Sequence, residues 1–299
     1  MEQGWLCRCQ VALVRATVIA VILLQSYSGL NARMIPTIDH TIADRNSLMP
    51  MPRPSFRVLT VNMHKGFGFL NRRFILPELR SAVRAVQADV VFLQEVQGDH
   101  TEHAMRQADW PPVPQYEFLA DEMWPEFAYG RNAVYPQGHH GNALLSKYPI
   151  VQNQNWDMSI EGTERRGLLH CTLAVPGFGD VHAVCVHLGL LEDHRRQQLD
   201  ILCAMVNDEI PPQAPLVVAG DFNDWRSRAN DHLTHDAGLQ EVFEMVYGRS
   251  ARTFPARFPV FRLDRIYVRG AGAHAPMVLP RRPWSHLSDH APLAADIDL

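Results

Sequence analysis

Short apolar runs in this sequence repeatedly end on an amide, a carboxylate or an imidazole. Leu59-Thr60-Val61 leads into Asn62, Val91-Phe92-Leu93 into Gln94-Glu95, and Val184-Cys185-Val186 into His187. Leu216-Val217-Val218-Ala219 leads into Gly220-Asp221-Phe222-Asn223-Asp224, Leu263 precedes Asp264, and Ser288-Asp289-His290 stands before Ala291-Pro292-Leu293. Runs of this length and composition read as core strands, and strand ends can bring such polar groups together. Each has a plain structural reading taken singly. Asn62 or Asn223 can close a turn, Glu95 can be a solvated strand end, Asp221 can cap a loop, and His187 or His290 can be a hydrogen-bonded structural histidine. Their conjunction is what points to a site.

Phe56 to Asn62 alternates apolar positions and Val90 to Leu93 is continuously apolar. Between them Leu76, Leu79, Val83 and Val86 recur at helical spacing, with Pro77 suited to a helix start and Glu78 to the first turn. Further strands are expected over Asn142 to Leu145, Gly167 to Val175, Val181 to Val186, Leu216 to Ala219, Arg265 to Val268 and Ala291 to Ile297. Leu199, Leu202 and Val206 mark an amphipathic helix before Pro211-Pro212. Many strands, few helices and polar residues at strand ends predict a layered α/β sandwich with a site at one edge of its sheets.

No repeat or composition break divides residues 55–299, so one domain is expected there, preceded by an extension over residues 1–54. Within the extension, Val11 to Leu24 is mostly apolar, Arg8 and Arg15 lie on its N-terminal side, and Leu30-Asn31-Ala32 could serve as a cleavage site. Residues 1–32 thus resemble a secretory signal, whereas the unbroken run from Ala16 to Leu24 is too short for a stable transmembrane anchor. The alternative, favoured by the absence of domain patterning before Phe56, is a start at Met49 or Met51 beside a Pro-rich stretch. That start implies a cytoplasmic protein; a working signal implies export or membrane association.

A net charge of -4 gives no global pull toward polyanions, so contact with nucleic acid would require a local basic patch. Arg249, Arg252, Arg257, Arg262, Arg265, Arg269, Arg281 and Arg282 gather late in the chain, as either a solvated face or a phosphate-facing rim. Cys171, Cys185 and Cys203 read as small buried hydrophobes, and an odd total of five cysteines argues against a disulfide framework. No His-Glu-x-x-His pattern or Cys/His cluster supports structural zinc.

In order along residues 56–299, Val61-Asn62, Leu93-Gln94-Glu95, Val186-His187-Leu188, Gly220-Asp221-Phe222-Asn223, Leu263-Asp264-Arg265-Ile266 and Ser288-Asp289-His290 resemble the signatures of the endonuclease/exonuclease/phosphatase superfamily. That superfamily includes DNase I, abasic-site endonucleases, inositol polyphosphate phosphatases and neutral sphingomyelinases. Asn62-Met63-His64-Lys65-Gly66-Phe67, Tyr129-Gly130-Arg131-Asn132-Ala133-Val134-Tyr135-Pro136 and Gly138-His139-His140-Gly141-Asn142 resemble its bacterial YbhP-type branch in particular. The resemblance implies a DNase I-like fold, a four-layer α/β sandwich of two packed mixed β-sheets flanked by helices. It further implies a divalent-metal-dependent phosphoesterase that hydrolyses phosphodiesters by in-line attack of water, with Mg2+ as cofactor and Mn2+ as a substitute. Nucleic acid is the default substrate class, which would make the enzyme a nuclease. A phospholipid headgroup or small phosphate ester is the alternative, and a non-catalytic scaffold a third reading.

Glu95 is the first choice of metal ligand, since magnesium prefers hard oxygen donors, with Asn62 and Asp289 in support. By the same resemblance Asp221 would orient or deprotonate the attacking water, and Asn223 would donate its amide to a phosphate oxygen. His290, its tautomer fixed by Asp264, would bind the phosphoryl group or assist proton transfer, with His187 as the second imidazole. Tyr129 and Asn142 are candidates for substrate binding, with aromatic and turn roles equally open. Arg165 or Arg166 could pair with a phosphate oxygen or form a solvated strand edge. His139-His140, and the loop from Arg252 to Arg262 with Phe254, Phe258 and Phe261, could form a substrate wall, or the phenylalanines could be core.

Overall fold

The structure is a computed structural model that describes residues 55–68, 73–161 and 165–299. The readings placed on residues 1–54 lie outside the described residues. The strands in chain order are β1 (Ser55–Asn62), β2 (Val90–His100), β3 (Glu126–Tyr135), β4 (Gly138–Ser146), β5 (Ile150–Asp157), β6 (Gly167–Val175), β7 (Gly179–His187), β8 (Leu216–Asp221), β9 (Gln240–Glu241), β10 (Asp264–Arg269), β11 (Gly272–Val278) and β12 (Leu293–Asp298). The helices are α1 (Leu76–Val86), α2 (Thr101–Arg106), α3 (Gln115–Ala120), α4 (Glu192–Glu209), α5 (Ala229–Ala237), α6 (Val242–Tyr247) and α7 (Arg281–Leu287).

Two six-stranded sheets form, in the orders β11-β12-β1-β2-β4-β3 and β5-β6-β7-β8-β10-β9. Each is antiparallel except for one central parallel pair, β1 with β2 and β7 with β8. Period-two alternation decides what each row of side chains meets. Phe56, Val58, Val90 and Phe92 of the first sheet share one apolar cluster with Cys185, Val217, Ala219 and Ile266 of the second. The opposite rows pack outward: Leu59, Val61, Val91 and Leu93 against Leu76, Leu79 and Trp284, and Val184, Val186 and Val218 against Leu199, Leu202 and Leu233. Helix, sheet, sheet and helix therefore make four layers, and each buried Leu or Val contributes roughly 1.5–3 kcal/mol to holding them.

Helix α1 begins with Pro77 in its first turn, ends at Gln87 with a φ of 58°, and buries Leu76, Leu79 and Val83. Cys171, Cys185 and Cys203 are free and buried, as expected. No helix among the described residues is long and apolar enough to cross a membrane. The late arginines do not form one surface. Arg265 is fully buried, Arg262 and Arg269 are half-buried, and Arg257, Arg281 and Arg282 are exposed. The phenylalanines also divide, with Phe258 77% exposed and Phe254 against the ring of His290.

Two positions generate tests of stability. Gly220 has a φ of 150°, and a Cβ there would lie 2.0 Å from the Val186 carbonyl oxygen. Gly220→Ala is expected to cost about 3 kcal/mol, read by urea unfolding. Glu241 caps α6 by accepting from the backbone N–H of Glu244 at 2.8 Å, and burial pushes its carboxyl up from 4.5 to about 7. Below the unfolded pKa both states hold the proton; between 4.5 and about 7 the unfolded chain releases it first, so stability falls as pH rises. Unfolding measured at pH 4 and pH 8 should show Glu241→Gln gaining about 3 kcal/mol relative to the native protein over that interval.

Candidate active site

The alternation that builds the inter-sheet core also places the polar residues at its end. Asn62 continues the row of Phe56 and Val58, His187 that of Cys185, Asp221 that of Val217 and Ala219, and Asp264 that of Ile266. The parallel pairs point β1, β2, β7 and β8 toward the same edge. The antiparallel neighbours β10 and β12 begin there, with Asp264 opposite Asp221 and Leu293 opposite Thr60. Asn62, Glu95, His187, Asp221, Asn223, Asp264 and His290 are all buried.

Asp221 Oδ2 is the meeting point. It accepts from Asn62 Nδ2 at 3.1 Å and lies 3.5 Å from His187 Nε2 and 3.8 Å from His290 Nε2. Its other oxygen accepts the backbone N–H of Asn223 at 2.9 Å. Burial, reinforced by the charge of Asp264, pushes Asp221 up to about 6, while His290, Asn223 and Asn62 act against that rise. His290 Nδ1 and Asp264 Oδ2 are 2.9 Å apart. Burial would discharge this imidazole, but Asp264 and Asp221 outweigh it and lift His290 to about 10. His187 goes the other way: burial, then the positive charge of Arg166, holds it well below its ordinary value. One imidazole is thus cationic and one neutral in the same cleft.

Glu95 reaches the cleft through an irregularity. Gln94 takes the inward position, its amide donating to Cys185 Sγ and Thr60 Oγ1, and the register with β4 shifts between Leu93 and Val96. The residue that absorbs the shift is Glu95, with φ at 55°. His64, Lys65 and Asn223 also have positive φ, at 47°, 58° and 49°. Backbone conformations of this kind cost about 1–3 kcal/mol each and persist where their surroundings impose them.

Asp289 Oδ1 is buried 3.3 Å from His64 Nδ1, poorly aligned for a hydrogen bond and without another partner among the described residues. Burial would protonate Asp289, but the His64 and His290 imidazoles outweigh it and hold the carboxyl below its usual range. The charge of Glu95 bears on the same carboxyl. Carboxylate oxygens of this kind, one of them without an aligned donor, suit a hard divalent cation. Asp221, Asp264 and His290 also bring ligand atoms within 4.8 Å of one another. There, however, His290 Nδ1 already engages Asp264 Oδ2, which leaves that imidazole only Nε2 to offer.

The remaining candidates sit further out. The Tyr129 hydroxyl and His139 Nδ1 are 3.0 Å apart, the Tyr129 ring stacks on Tyr116 at 4.6 Å, and burial pushes its hydroxyl pKa up. Asn142 ties the sheets together, its Nδ2 donating to the carbonyls of Gly167 at 2.9 Å and Cys185 at 3.3 Å, and its buried Oδ1 has no hydrogen-bond partner among the described residues. Asn223 Nδ2 donates to the Leu188 carbonyl at 2.9 Å. His64, Arg166 and His140 stand near these residues without belonging to the strand-end set. Arg166 is 7% exposed, and burial aided by Lys65 drives His140 down to about 3. His64 was legible as the residue two beyond Asn62, whose Oδ1 accepts the His64 backbone N–H. Arg166 carried no signal beyond its place before an apolar run.

Comparison with known proteins gives the cleft a family. YbhP of Escherichia coli, an uncharacterized protein, is 59% identical over 246 residues, covering 82% of this chain and 97% of YbhP. An endonuclease/exonuclease/phosphatase from Beutenbergia cavernae matches with a TM-score of 0.66 at 23% identity, over 83% of this chain and 72% of that one. The mannosyl-6-phosphatase of Bacteroides thetaiotaomicron matches with a TM-score of 0.63 at 18% identity, over 82% and 100% of the two chains. Residues 59–290 match the Endonuclease/Exonuclease/phosphatase family, and the chain belongs to it.

Proposed function

We propose that this protein is a divalent-metal-dependent phosphoesterase that hydrolyses phosphodiester bonds by in-line attack of water. The observation that carries the reading is the convergence on Asp221 Oδ2 of Asn62, His187 and His290, from separate segments at one sheet edge. Phosphoryl transfer needs an oriented nucleophile and compensation of charge on the phosphate oxygens more than it needs covalent chemistry. Asp221, held in place by Asn62 and the Asn223 N–H, orients the attacking water and accepts its proton. His290, kept cationic and fixed in orientation by Asp264, donates to a phosphate oxygen and can deliver a proton toward the leaving oxygen. His187, kept neutral, offers the second imidazole, and the remaining amide hydrogen of Asn223 is available to the phosphate. Glu95 and Asp289, supported by Asn62, would hold Mg2+ or Mn2+. The cation would supply Lewis-acid polarisation of a phosphate oxygen.

Asn142 and Tyr129 stand on β4 and β3 as the outer wall toward substrate. A monoester phosphatase is the second reading, favoured by likeness to the mannosyl-6-phosphatase. Nucleic acid, lipid headgroup and small ester are separated by assay on each.

Hydrolysis of bis(p-nitrophenyl) phosphate and of the monoester, with EDTA, Mg2+ or Mn2+, tests the assignment. Diester cleavage is expected to vanish in EDTA and return with metal, and Asp221→Ala and His290→Ala should each lower it about 1,000-fold. Turnover of the monoester alone would move the phosphatase reading ahead, and turnover of neither would favour the scaffold. Asp264→Asn should lower kcat about 100-fold with a smaller change in KM, because it disturbs the orientation and charge of His290. An unchanged kcat would remove Asp264 from the account.

A further inference from the structure

A cavity of about 500 Å³ is lined by Arg257, Arg281, Arg282, Ser285 and His286. Among the described residues no acidic side chain lines it. Ser285 is 4% exposed, whereas the four basic residues around it are exposed. Some arginines elsewhere meet carboxylates, as in Arg84 with Asp121 at 2.7 Å and Arg226 with Glu192 at 2.6 Å. Among the described residues no carboxylate is paired with Arg281 or Arg282. A concave wall of one sign focuses its field and draws a counter-charge, and guanidinium forks with a hydroxyl between them match phosphate geometry.

Both walls are tied to the cleft. Arg257 follows Ala256, whose N–H donates to the Asp289 carbonyl at 2.7 Å. Ser285 lies in α7, which runs into Ser288, and the Ser288 hydroxyl donates to the Asn62 carbonyl at 2.6 Å. The cavity therefore shares its backbone supports with Asp289 and Asn62. It is not made of the residues that converge on Asp221.

We propose that this cavity is a second anion subsite, which receives a phosphate group of the substrate other than the one being hydrolysed. The substrate part of this inference rests on the phosphoesterase reading above; the anion part rests on the cavity alone. It accounts for how a chain with a net charge of -4 can select a polyanionic ester locally. An ester carrying one phosphate would fill only the catalytic cleft.

Calorimetry on the full chain in EDTA, with thymidine 3′,5′-bisphosphate and thymidine 5′-monophosphate as probes, tests the subsite without turnover. The bisphosphate is expected to bind about 10-fold tighter, and Arg281→Gln with Arg282→Gln should bring the ratio toward one. These positions are exposed, and a thermal melt confirms that the variant is folded. Equal affinities in the native protein, or a variant that weakens both probes alike, would overturn the subsite. The p-nitrophenyl 5′-esters of the same two nucleotides give the catalytic arm, where the kcat/KM ratio should follow the binding ratio. A kcat/KM ratio of one beside an intact binding ratio would overturn the substrate part. Hydrolysis of neither ester beside an intact binding ratio would overturn the phosphoesterase reading and support the anion site.

Discussion

An ionised carboxylate taken out of water costs several kcal/mol unless partners replace its hydration, and the cleft is organised around meeting that requirement for Asp221. The residue is 1% exposed, yet its two oxygens accept from the Asn62 amide and the Asn223 backbone N–H, and the His187 and His290 imidazoles lie 3.5 and 3.8 Å away. No single element could deliver them. Asn62 comes from one sheet and Asp221 from the other, so the face-to-face packing of the sheets is itself a condition for the site.

The same electrostatics divides the cleft into two parts. Around Asp264 and His290 negative charge is already answered by an imidazolium. Around Asp289 the nearest imidazole, His64, lies 3.3 Å away and is not aligned for a hydrogen bond, and the cation proposed for Glu95 and Asp289 would complete that end of the cleft, to which the positive φ of Glu95 belongs. His187 adds a third component, an imidazole that burial holds toward the neutral form with the charge of Arg166 acting in the same direction.

Much of this was legible in the sequence because central strands are apolar on both faces and stop abruptly. Each expected strand matches or falls within an observed one, allowing for two residues before β12, and the strands not anticipated, β3, β5, β9 and β11, are the four sheet edges. β5 shows why: six of its eight residues are exposed, so hydrophobic periodicity had nothing to report. The residues that converge on Asp221 were readable as strand-end polar groups. His64, Arg166 and His140 were harder, because their roles depend on which charges lie beside them across the sheets, and sequence spacing does not encode that. The loop from Arg252 to Arg262 was ambiguous for a related reason: Phe254 and Phe258 share it but face different surroundings.

The most direct measurement is a calorimetric titration of Mn2+ into the native protein, Glu95→Gln and Asp264→Asn. The account places the cation at Glu95 and Asp289, so Glu95→Gln should weaken binding by about 100-fold while Asp264→Asn changes it by less than about threefold. The reverse pattern, with affinity kept in Glu95→Gln and lost in Asp264→Asn, would contradict it and assign the ion to the cluster of Asp221, Asp264 and His290.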